Sequence, residues 1–330
     1  MFDIITLGDA VSDLFIKPEE LSIMCPASKI KERTCFEPVL CLGYGEKISI
    51  EDIHYDIGGS AANVAVGLAR QGFKVGFIGA VGRDSKGAEI LARLKEEGVS
   101  PRFLKKIKEI KTNFSLIFSY KGERTILVYR GLVDYSQISI PKNLSTKWLF
   151  IGPLGEGFEK LYSQIISLVC QKNIKLALNP GRIQIKKGGS ALKEILPVSK
   201  VLFLNKEEAE EICLTKRPAL LKDLLASLKA MGPEIIFITD GSEGAYSFDG
   251  EEYLKISAYR ADRKEVTGAG DAFSAGALGA LVLGKDTKEA LQWGVINSAS
   301  VIEKIGAQNG LLSLPQIQRR LKGAPYPRPI

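Results

Sequence analysis

The sequence predicts a doubly wound α/β fold, with a mostly parallel central sheet, helices on both of its faces and a small accessory β-sheet. Three observations predict this fold. Short apolar runs end in a glycine or a polar turn, helical patterns separate the runs, and two further stretches do not follow the alternation. Because a strand that is buried on both faces reads as an uninterrupted apolar run, the first observation indicates parallel strands inside the molecule.

The candidate core strands are the apolar runs at residues 4–7, 75–78, 148–151, 175–178, 201–204 and 235–239. The candidate helices span residues 61–71, 87–97, 158–171, 206–211, 219–229, 271–283 and 288–305. Alternation of strands and helices along one chain is the pattern of a doubly wound sheet. Ligands of such sheets bind at the carboxyl ends of the strands, so polar residues that directly follow a strand are the first candidates for a site.

Residues 15–55 and 113–129 interrupt this alternation and are predicted to form the accessory sheet. The second stretch has the pattern of a hairpin, with two apolar runs on either side of a turn at Gly122. For residues 15–55, which contain three of the five cysteines, a long surface loop is the alternative. The α/β domain then comprises residues 1–14, 56–112 and 130–315, and we expect residues 316–330 to form an extended tail.

The composition excludes several classes of protein. A chain of 330 residues can bury one large core and is too short for three ordinary domains. The formal net charge of +7 weakly favours anionic ligands. However, the basic residues are interleaved with acidic and apolar ones and form no long stripe with aromatic side chains. We therefore expect no binding to nucleic acid.

The sequence also bears on location and on metal chemistry. The first residues lack the basic and apolar regions of a secretory signal, and no segment has 18 uninterrupted apolar residues. We therefore expect a cytoplasmic protein that does not span a membrane. The five cysteines include no Cys-x-x-Cys pair, which argues against a zinc knuckle and a disulfide framework. His54 is the only histidine, which excludes metal sites built from several histidines.

The strongest local signal is a glycine-rich loop at residues 266–276, with the sequence VTGAGDAFSAG, which continues into a helix of small residues. Small residues let successive backbone N–H groups point into one space, and the helix N-terminus adds partial positive charge, so the loop can bind phosphoryl oxygens. Asp271 follows this anion site. The helix dipole favours its ionised form, which can accept the proton of an attacking hydroxyl group. The alternative is a tight turn with an acidic residue in the first helical turn.

Two further segments carry candidate residues for a hydroxyl-bearing ligand. Gly58 and Gly59 open a helix, and Asn63 follows one turn later. Glycine allows a small molecule to approach the backbone, and an asparagine amide can both donate and accept hydrogen bonds. Asp13 lies after the first strand, where a carboxylate can accept hydrogen bonds from two adjacent hydroxyl groups. A turn residue is the alternative at this position.

Polar residues also follow two later strands. Asn205 and Glu208 come directly after the strand at 201–204, on one face of a helix start that suits a hydrated magnesium ion. A capping asparagine with acidic residues in the first turn is the alternative. Thr239, Gly241 and Gly244 end the strand at 235–239 and form a turn that can pass close to a nucleotide.

These segments, in this order, resemble the ribokinase-like (PfkB) family of carbohydrate kinases, and the resemblance covers nearly the whole chain. The sequence from Thr267 to Asp271 is similar to the second signature of the family. This similarity implies that the backbone of Gly268, Ala269 and Gly270 forms an anion hole and that Asp271 is the general base. Residues 58–82 look like the first signature of the family.

The resemblance also implies roles for the remaining candidates. Asp13, Gly59 and Asn63 would bind the phosphate acceptor, and Glu208 would hold Mg²⁺ through water. The residues expected to bind ATP are Asn205, Thr239, Gly241, Gly244 and Asn297, the last of which lies in the helix that borders the adenine in the family. By the same resemblance, the accessory sheet is a lid that closes over the substrate and excludes water.

Two positions depart from the family pattern. Glu265 replaces an aspartate that is associated with a monovalent-cation site in some members, so the resemblance does not carry over a potassium requirement. Ser60 stands where some ribokinases have a lysine, which weakens the case for ribose. The implied activity is ATP-dependent transfer of a phosphoryl group to a primary hydroxyl of a small sugar. A nucleoside acceptor and a non-catalytic sugar-binding regulator are the alternatives, and a homodimer formed through an edge of the lid is also expected.

Overall fold

The computed structural model describes residues 1–19, 22–24, 39–120, 123–131, 134–141, 143–187, 189–215 and 220–330. Its strands are Phe2–Leu7 (β1), Val11–Pro18 (β2), Ser22–Met24 (β3), Val39–Cys41 (β4), Ile50–Gly58 (β5), Val75–Gly82 (β6), Ser100–Ile107 (β7), Phe114–Tyr120 (β8), Glu123–Tyr129 (β9), Thr146–Ile151 (β10), Lys175–Leu178 (β11), Val201–Asn205 (β12), Ile235–Thr239 (β13), Ala245–Phe248 (β14), Tyr253–Ile256 (β15) and Arg328–Pro329 (β16). Its helices are Ser60–Arg70 (α1), Ser85–Glu96 (α2), Phe158–Lys172 (α3), Arg182–Lys187 (α4), Gly189–Ile195 (α5), Lys206–Ile212 (α6), Leu221–Ala230 (α7), Ala269–Val282 (α8), Thr287–Ile302 (α9) and Leu314–Leu321 (α10).

The central sheet has ten strands in the order β16-β15-β14-β13-β12-β11-β10-β1-β6-β7. The strands from β13 to β7 in this order pair in parallel, and β14, β15 and β16 add antiparallel pairs at one edge. This arrangement confirms the predicted fold class. The chain order runs outward from β1 in both directions, so the crevice in which doubly wound sheets bind ligands lies beside the carboxyl end of β1.

Helices α1 and α8 are built from small residues and pack directly against each other. A Cβ atom on Gly67 of α1 would lie 2.7 Å from the Cβ atom of Ala275 of α8, so the close approach of the two helices requires glycine at this position. One turn closer to the N-termini, Asn63 contacts Asp271. The two helices therefore run parallel, and their N-termini lie side by side.

The accessory sheet consists of four strands in the order β5-β2-β8-β9. Strands β8 and β9 pair from Phe114↔Tyr129 to Tyr120↔Glu123, which confirms the predicted hairpin. Strand β2 pairs with β5 in antiparallel orientation and with β8 in parallel orientation, so part of residues 15–55 contributes strands to this sheet. Strands β3 and β4 form a separate antiparallel pair. Residues 20–21 and 25–38 of that stretch lie outside the described residues.

The predicted extended tail at residues 316–330 is wrong for its first part, which is helical up to Leu321, whereas residues 324–330 contain no helix. Helix α10 begins after Ser313, whose side chain forms a capping box with Gln316, and the buried side chain of Ile317 packs in the core. A capping residue followed by Pro315 at the start of the helix is a sequence signal for a helix start. Residues 328–329 then pair with β15 and extend the central sheet. None of the helices within the described residues is long and apolar enough to cross a bilayer.

Candidate active site

The glycine-rich loop leads into α8 at the carboxyl ends of the central strands. Gly268 precedes the helix with φ = 80°, and a Cβ atom there would lie 2.7 Å from the Cβ atom of Ala307. Both the backbone conformation and the close neighbour therefore require glycine. The first bond into the helix runs from the N–H of Ala272 to the carbonyl of Gly268. The N–H groups at Gly270 and Asp271 precede that bond and are suited to binding an anion.

Asp271 is hydrogen-bonded from the neighbouring helix. The side-chain nitrogen of Asn63 lies 2.8 Å from Asp271 Oδ2, and the hydroxyl of Ser60 also donates to this carboxylate. Burial raises the pKa of Asp271, while the hydrogen bonds from Asn63 and Ser60 and the charge of Arg124 lower it. The sequence predicted that the helix dipole favours the ionised form. In the structure, burial disfavours the ionised form of Asp271, and its polar neighbours offset part of the free-energy cost of ionisation.

Asp13 lies on β2 of the accessory sheet, opposite Asp56 of β5 and beside Ser115 of β8. Its side chain is buried, and a Cβ atom on Gly58 would lie 2.0 Å from Asp13 Oδ2. Burial is the main cause that raises the pKa of Asp13 to about 7, and the charges of Asp56 and Asp271 raise it further. Asp13 and Asp271 therefore lie within electrostatic reach of each other.

The raised pKa of Asp13 leads to a prediction about stability. Between the ordinary pKa of 3.8 and about 7, the folded state holds a proton on this carboxyl group that the unfolded state has released. The ionisation of Asp13 therefore lowers the free energy of unfolding of the protein as the pH rises through this window. We expect Asp13→Asn to raise the unfolding temperature by a few degrees at pH 8, on the order of 2 kcal/mol of relieved cost, and by less than half as much at pH 5, where only part of this pH window has been crossed.

Calorimetry at both pH values measures this difference. The matched control is Asp223→Asn, which changes an exposed aspartate in the first turn of α7. We expect no pH-dependent gain for that variant. An equal shift of the Asp13→Asn variant at pH 5 and pH 8 would show that ionisation of Asp13 carries no such cost.

Asn205 and Glu208 cap the start of α6. The Asn205 side chain accepts a hydrogen bond from the Glu208 N–H at 2.8 Å, and Glu208 Oε2 accepts from the Asn205 N–H at 2.9 Å. The capping asparagine that the sequence offered as the alternative is therefore present. Both residues also line a cavity of about 300 Å³ together with Gly268, Ala269, Gly270 and Asp271, so the helix cap forms part of the cavity wall.

The surroundings of Glu208 suit a hydrated divalent cation. Burial raises the pKa of Glu208 to about 7, and the negative charges of Asp271, Glu207 and Glu211 raise it further. A cation in this cavity would relieve the repulsion between these carboxylates. In the described part of the chain, no group of three or more acidic, histidine or cysteine side chains could hold a metal ion directly. Magnesium, which keeps several of its water molecules, fits such a site.

A second cavity, of about 520 Å³, adjoins the first and shares Thr239, Ala269 and Gly270 with it. The candidate nucleotide turn, with Gly241 and Gly244, lines this larger cavity. Much of the remaining wall is apolar, from Val266, Phe273, Val295, Ala299 and Ile302. The two cavities thus join an apolar chamber to the anion loop, which is the arrangement that a nucleotide base and its phosphate groups require.

The expected contact of Asn297 with ATP is wrong for this side chain. Asn297 is completely buried, and its amide nitrogen donates to the carbonyl of Ala272 at 2.7 Å. Its amide oxygen accepts from the N–H of Leu312 at 2.9 Å. The side chain therefore fastens α9 to α8. The adjacent residue, Ser298, lies on the face of α9 that lines the larger cavity.

Arg124 of β9 is a residue of the candidate site that no sequence pattern indicated. Its side chain lines the smaller cavity, and its guanidinium lies 3.4 Å from Glu265 Oε1. The same carboxylate oxygen accepts hydrogen bonds from the N–H and the hydroxyl of Thr267, at 2.8 and 2.7 Å. The accessory sheet thus places a positive charge beside the anion loop. The strand pattern predicted the hairpin, but it contained no signal for where this side chain reaches.

Comparisons with a family model, with known sequences and with solved structures all match this chain to sugar and nucleoside kinases. The family described as "pfkB family carbohydrate kinase" matches residues 22–314. An uncharacterised sugar kinase of Archaeoglobus fulgidus is 28% identical over 74% of this chain and 98% of its own length. The ribokinase of Bacillus subtilis is 26% identical over 80% of this chain and 87% of its own. In fold, the crystal structure of the Methanocaldococcus jannaschii nucleoside kinase superposes with a TM-score of 0.78, at 24% identity, over 97% of this chain and 98% of that one.

Proposed function

Because the chain belongs to the pfkB family of carbohydrate kinases, we propose that it transfers the γ-phosphoryl group of ATP to a primary hydroxyl of a small sugar, with Asp271 as the general base. One observation carries this proposal. Asp271 lies at the first turn of α8, on the wall of the cavity that the anion loop lines, and it receives a hydrogen bond from Asn63. A base beside an anion site is what in-line phosphoryl transfer requires.

In this proposal, Asp13 and the backbone around Gly59 hold the acceptor so that its hydroxyl group points toward Asp271. Asp271 accepts the hydroxyl proton as the oxygen attacks phosphorus, and a pKa raised by burial suits a base that works near neutral pH. The N–H groups of Gly268, Gly270 and Asp271 stabilise the charge that develops on the phosphoryl oxygens, whereas the N–H of Ala269 donates to the carbonyl of Val266 at 3.3 Å. Magnesium, held through water near Glu208 and Asn205, would supply further positive charge to the phosphate groups.

Thr239, Gly241 and Gly244 bind the nucleotide in this proposal, at the larger cavity. Arg124 of the accessory sheet places a positive charge at the wall of the smaller cavity. The accessory sheet closes as a lid and excludes water, which limits hydrolysis of ATP. We also propose a cytoplasmic location and a homodimer formed through the accessory sheet. Its edge strand β9 exposes about half of the side chains of Leu127, Val128 and Tyr129, and an exposed apolar edge strand favours pairing.

A nucleoside acceptor is the second candidate. Successive residues of a strand alternate between faces, so Phe15 lies on the same face of the accessory sheet as Asp13, and its cross-strand partners His54 and Ile117 share that face. The Phe15 and His54 rings lie 6.1 Å apart. Phe15 and Ile117 are buried, so in this candidate the partly exposed His54 ring contacts the base while Asp13 binds the ribose hydroxyl groups. The likeness to a nucleoside kinase structure supports this candidate through the fold alone.

A screen for acceptor-dependent ADP release separates these candidates. The purified chain is incubated with ATP, Mg²⁺ and, in turn, ribose, fructose, ketodeoxygluconate, sugar phosphates, adenosine and inosine. We expect ADP release above the acceptor-free background with a sugar, and a preference for adenosine or inosine would select the second candidate. Binding of a sugar without ADP release from any mixture would contradict both and indicate a regulator.

A further inference from the structure

Gln308 lies in the loop between α9 and α10 and reaches the base through one intermediate side chain. It is completely buried, and its amide nitrogen lies 3.1 Å from Asn63 Oδ1. Asn63 in turn lies 2.8 Å from Asp271 through its own amide nitrogen. A hydrogen-bonded series therefore joins Gln308, Asn63 and Asp271, although Gln308 is 245 positions from Asn63 in the sequence.

The Asp271 carboxylate fixes the polarity of this series. An ionised carboxylate can only accept hydrogen bonds, so Asn63 must turn its NH₂ group toward Asp271. The amide oxygen of Asn63 then faces Gln308 and needs a donor, which only the NH₂ group of that amide supplies. If Gln308 were turned over, two amide oxygens would face each other inside the protein, and that arrangement carries the full cost of an unmade buried hydrogen bond.

The backbone around Gln308 is held independently of the site. The Gln308 carbonyl accepts a hydrogen bond of 2.7 Å from Arg70 at the end of α1. Arg70 also forms a two-pronged ion pair with Glu97, at 2.6 and 2.7 Å. On the other side, Ala307 packs against Gly268 of the anion loop. A planar, bidentate pair of this kind restricts the position of the groups that it holds, so Gln308 is presented to Asn63 by a rigid support.

The state of Gln308 Oε1 indicates a role beyond packing. This oxygen is buried and has no hydrogen-bond partner among the described residues. Leaving a buried acceptor unpaired costs about 1–3 kcal/mol, and an apolar side chain of similar shape would avoid that cost. The donor on Nε2 is the part of the side chain that an apolar residue could not replace.

We infer that Gln308 is a positioning residue, whose amide donates to Asn63 and thereby makes Asn63 present nitrogen, and not oxygen, to the Asp271 carboxylate. This inference rests on the proposed kinase function. The reversed amide would place a carbonyl oxygen against the base and repel the ionised form. Asn63, which the sequence indicated as a residue that contacts the acceptor, then also orients the base.

The test replaces Gln308 with Met, which keeps the length and shape of the side chain and removes the donor. We expect kcat to fall about tenfold, which corresponds to about 1.4 kcal/mol, while KM for ATP and for the acceptor changes less than about twofold, as for an interaction made only in the transition state. The matched control is Gln71→Met. Gln71 is also buried, its Nε2 donates to the carbonyl of Ala275, and its Oε1 is unpartnered within the described residues. We expect this control to retain the kcat of the wild type.

A double-variant cycle shows whether Gln308 acts through Asn63. If it does, adding Gln308→Met to Asn63→Leu lowers kcat no further than Asn63→Leu does alone. Independent, multiplicative losses would overturn the inference, as would an unchanged kcat or a raised KM in the folded Gln308→Met variant. Wild-type activity in the acceptor screen establishes the kinase function separately, so failure of the inference and failure of the function are distinguishable.

A neutron crystal structure of the deuterated wild-type protein tests the same inference without any variant. We expect deuterium on Asn63 Nδ2 toward Asp271 and on Gln308 Nε2 toward Asn63. An amide oxygen of Asn63 facing Asp271 would overturn the inference, whether or not the variants fold and whether or not an acceptor has been identified.

Discussion

Replacing Asp271 with Asn is expected to lower kcat by about 10³-fold, within the range for loss of a general base, and to leave ATP binding nearly unchanged. The new amide has almost the same shape, and its oxygen can still accept the hydrogen bond that Asn63 donates to the carboxylate. The anion loop before it keeps its backbone. What the variant loses is the ability to take the hydroxyl proton. Steady-state ADP release measures kcat, and calorimetric titration with a non-hydrolysable ATP analogue measures nucleotide binding.

Asp223→Asn is the matched control, because Asp223 also lies in the first turn of a helix but is exposed and lines neither of the two cavities. We expect wild-type kcat for this variant. An unchanged kcat in Asp271→Asn would remove Asp271 from the role of base. If ATP binding weakened by as large a factor as kcat, the variant would have disrupted the anion loop and not only the proton transfer.

The second large effect is expected at the acceptor. Asp13→Asn should lower kcat/KM for the acceptor by about 10²-fold or more and change KM for ATP less than about threefold. The reason is that a buried carboxylate accepts two charge-assisted hydrogen bonds from adjacent hydroxyl groups, each worth about 1.5–3 kcal/mol. The variant should combine this loss of activity with the gain in stability at pH 8 described above. The same buried carboxylate lowers the stability of the protein and binds the acceptor.

Acceptor analogues provide the control for that prediction. An analogue that lacks one of the two adjacent hydroxyl groups should lose kcat/KM with the wild type and lose much less with Asp13→Asn. Equal rises of KM for ATP and for the acceptor would instead place Asp13 outside the acceptor site. An equal penalty for the analogue with both proteins would show that another group binds that hydroxyl.

Local sequence patterns predicted the centre of the fold better than its edges. The strands at 175–178 and 235–239 match the observed β11 and β13, because each is a short apolar run that is buried in the sheet. Strand β7 was missed, since it lies at the edge of the sheet and several of its side chains, such as Lys105 and Lys106, are exposed. An edge strand lacks the continuous apolar run on which the prediction depended.

In the candidate site, too, local patterns predicted some residues and missed others. The anion loop and the Asn63 segment were recognised because each is encoded by a few consecutive residues. Asn297 was misassigned because the sequence places a residue on a helix but not on the face that points into a cavity. Arg124 and Gln308 reach the site from an accessory strand and a distant loop. Their roles depend on how separate elements pack, which no local pattern contains.

Phosphorus NMR on mixtures of wild-type protein, ATP, Mg²⁺ and each acceptor tests the central claim most directly, because it identifies the product and not only the loss of ATP. We expect a new phosphomonoester signal with at least one sugar or nucleoside, growing in equal amount with ADP, and none at a comparable rate with Asp271→Asn. Formation of inorganic phosphate alone, or the same ester at the same rate with Asp271→Asn, would contradict the claim that Asp271 activates an acceptor hydroxyl for phosphoryl transfer.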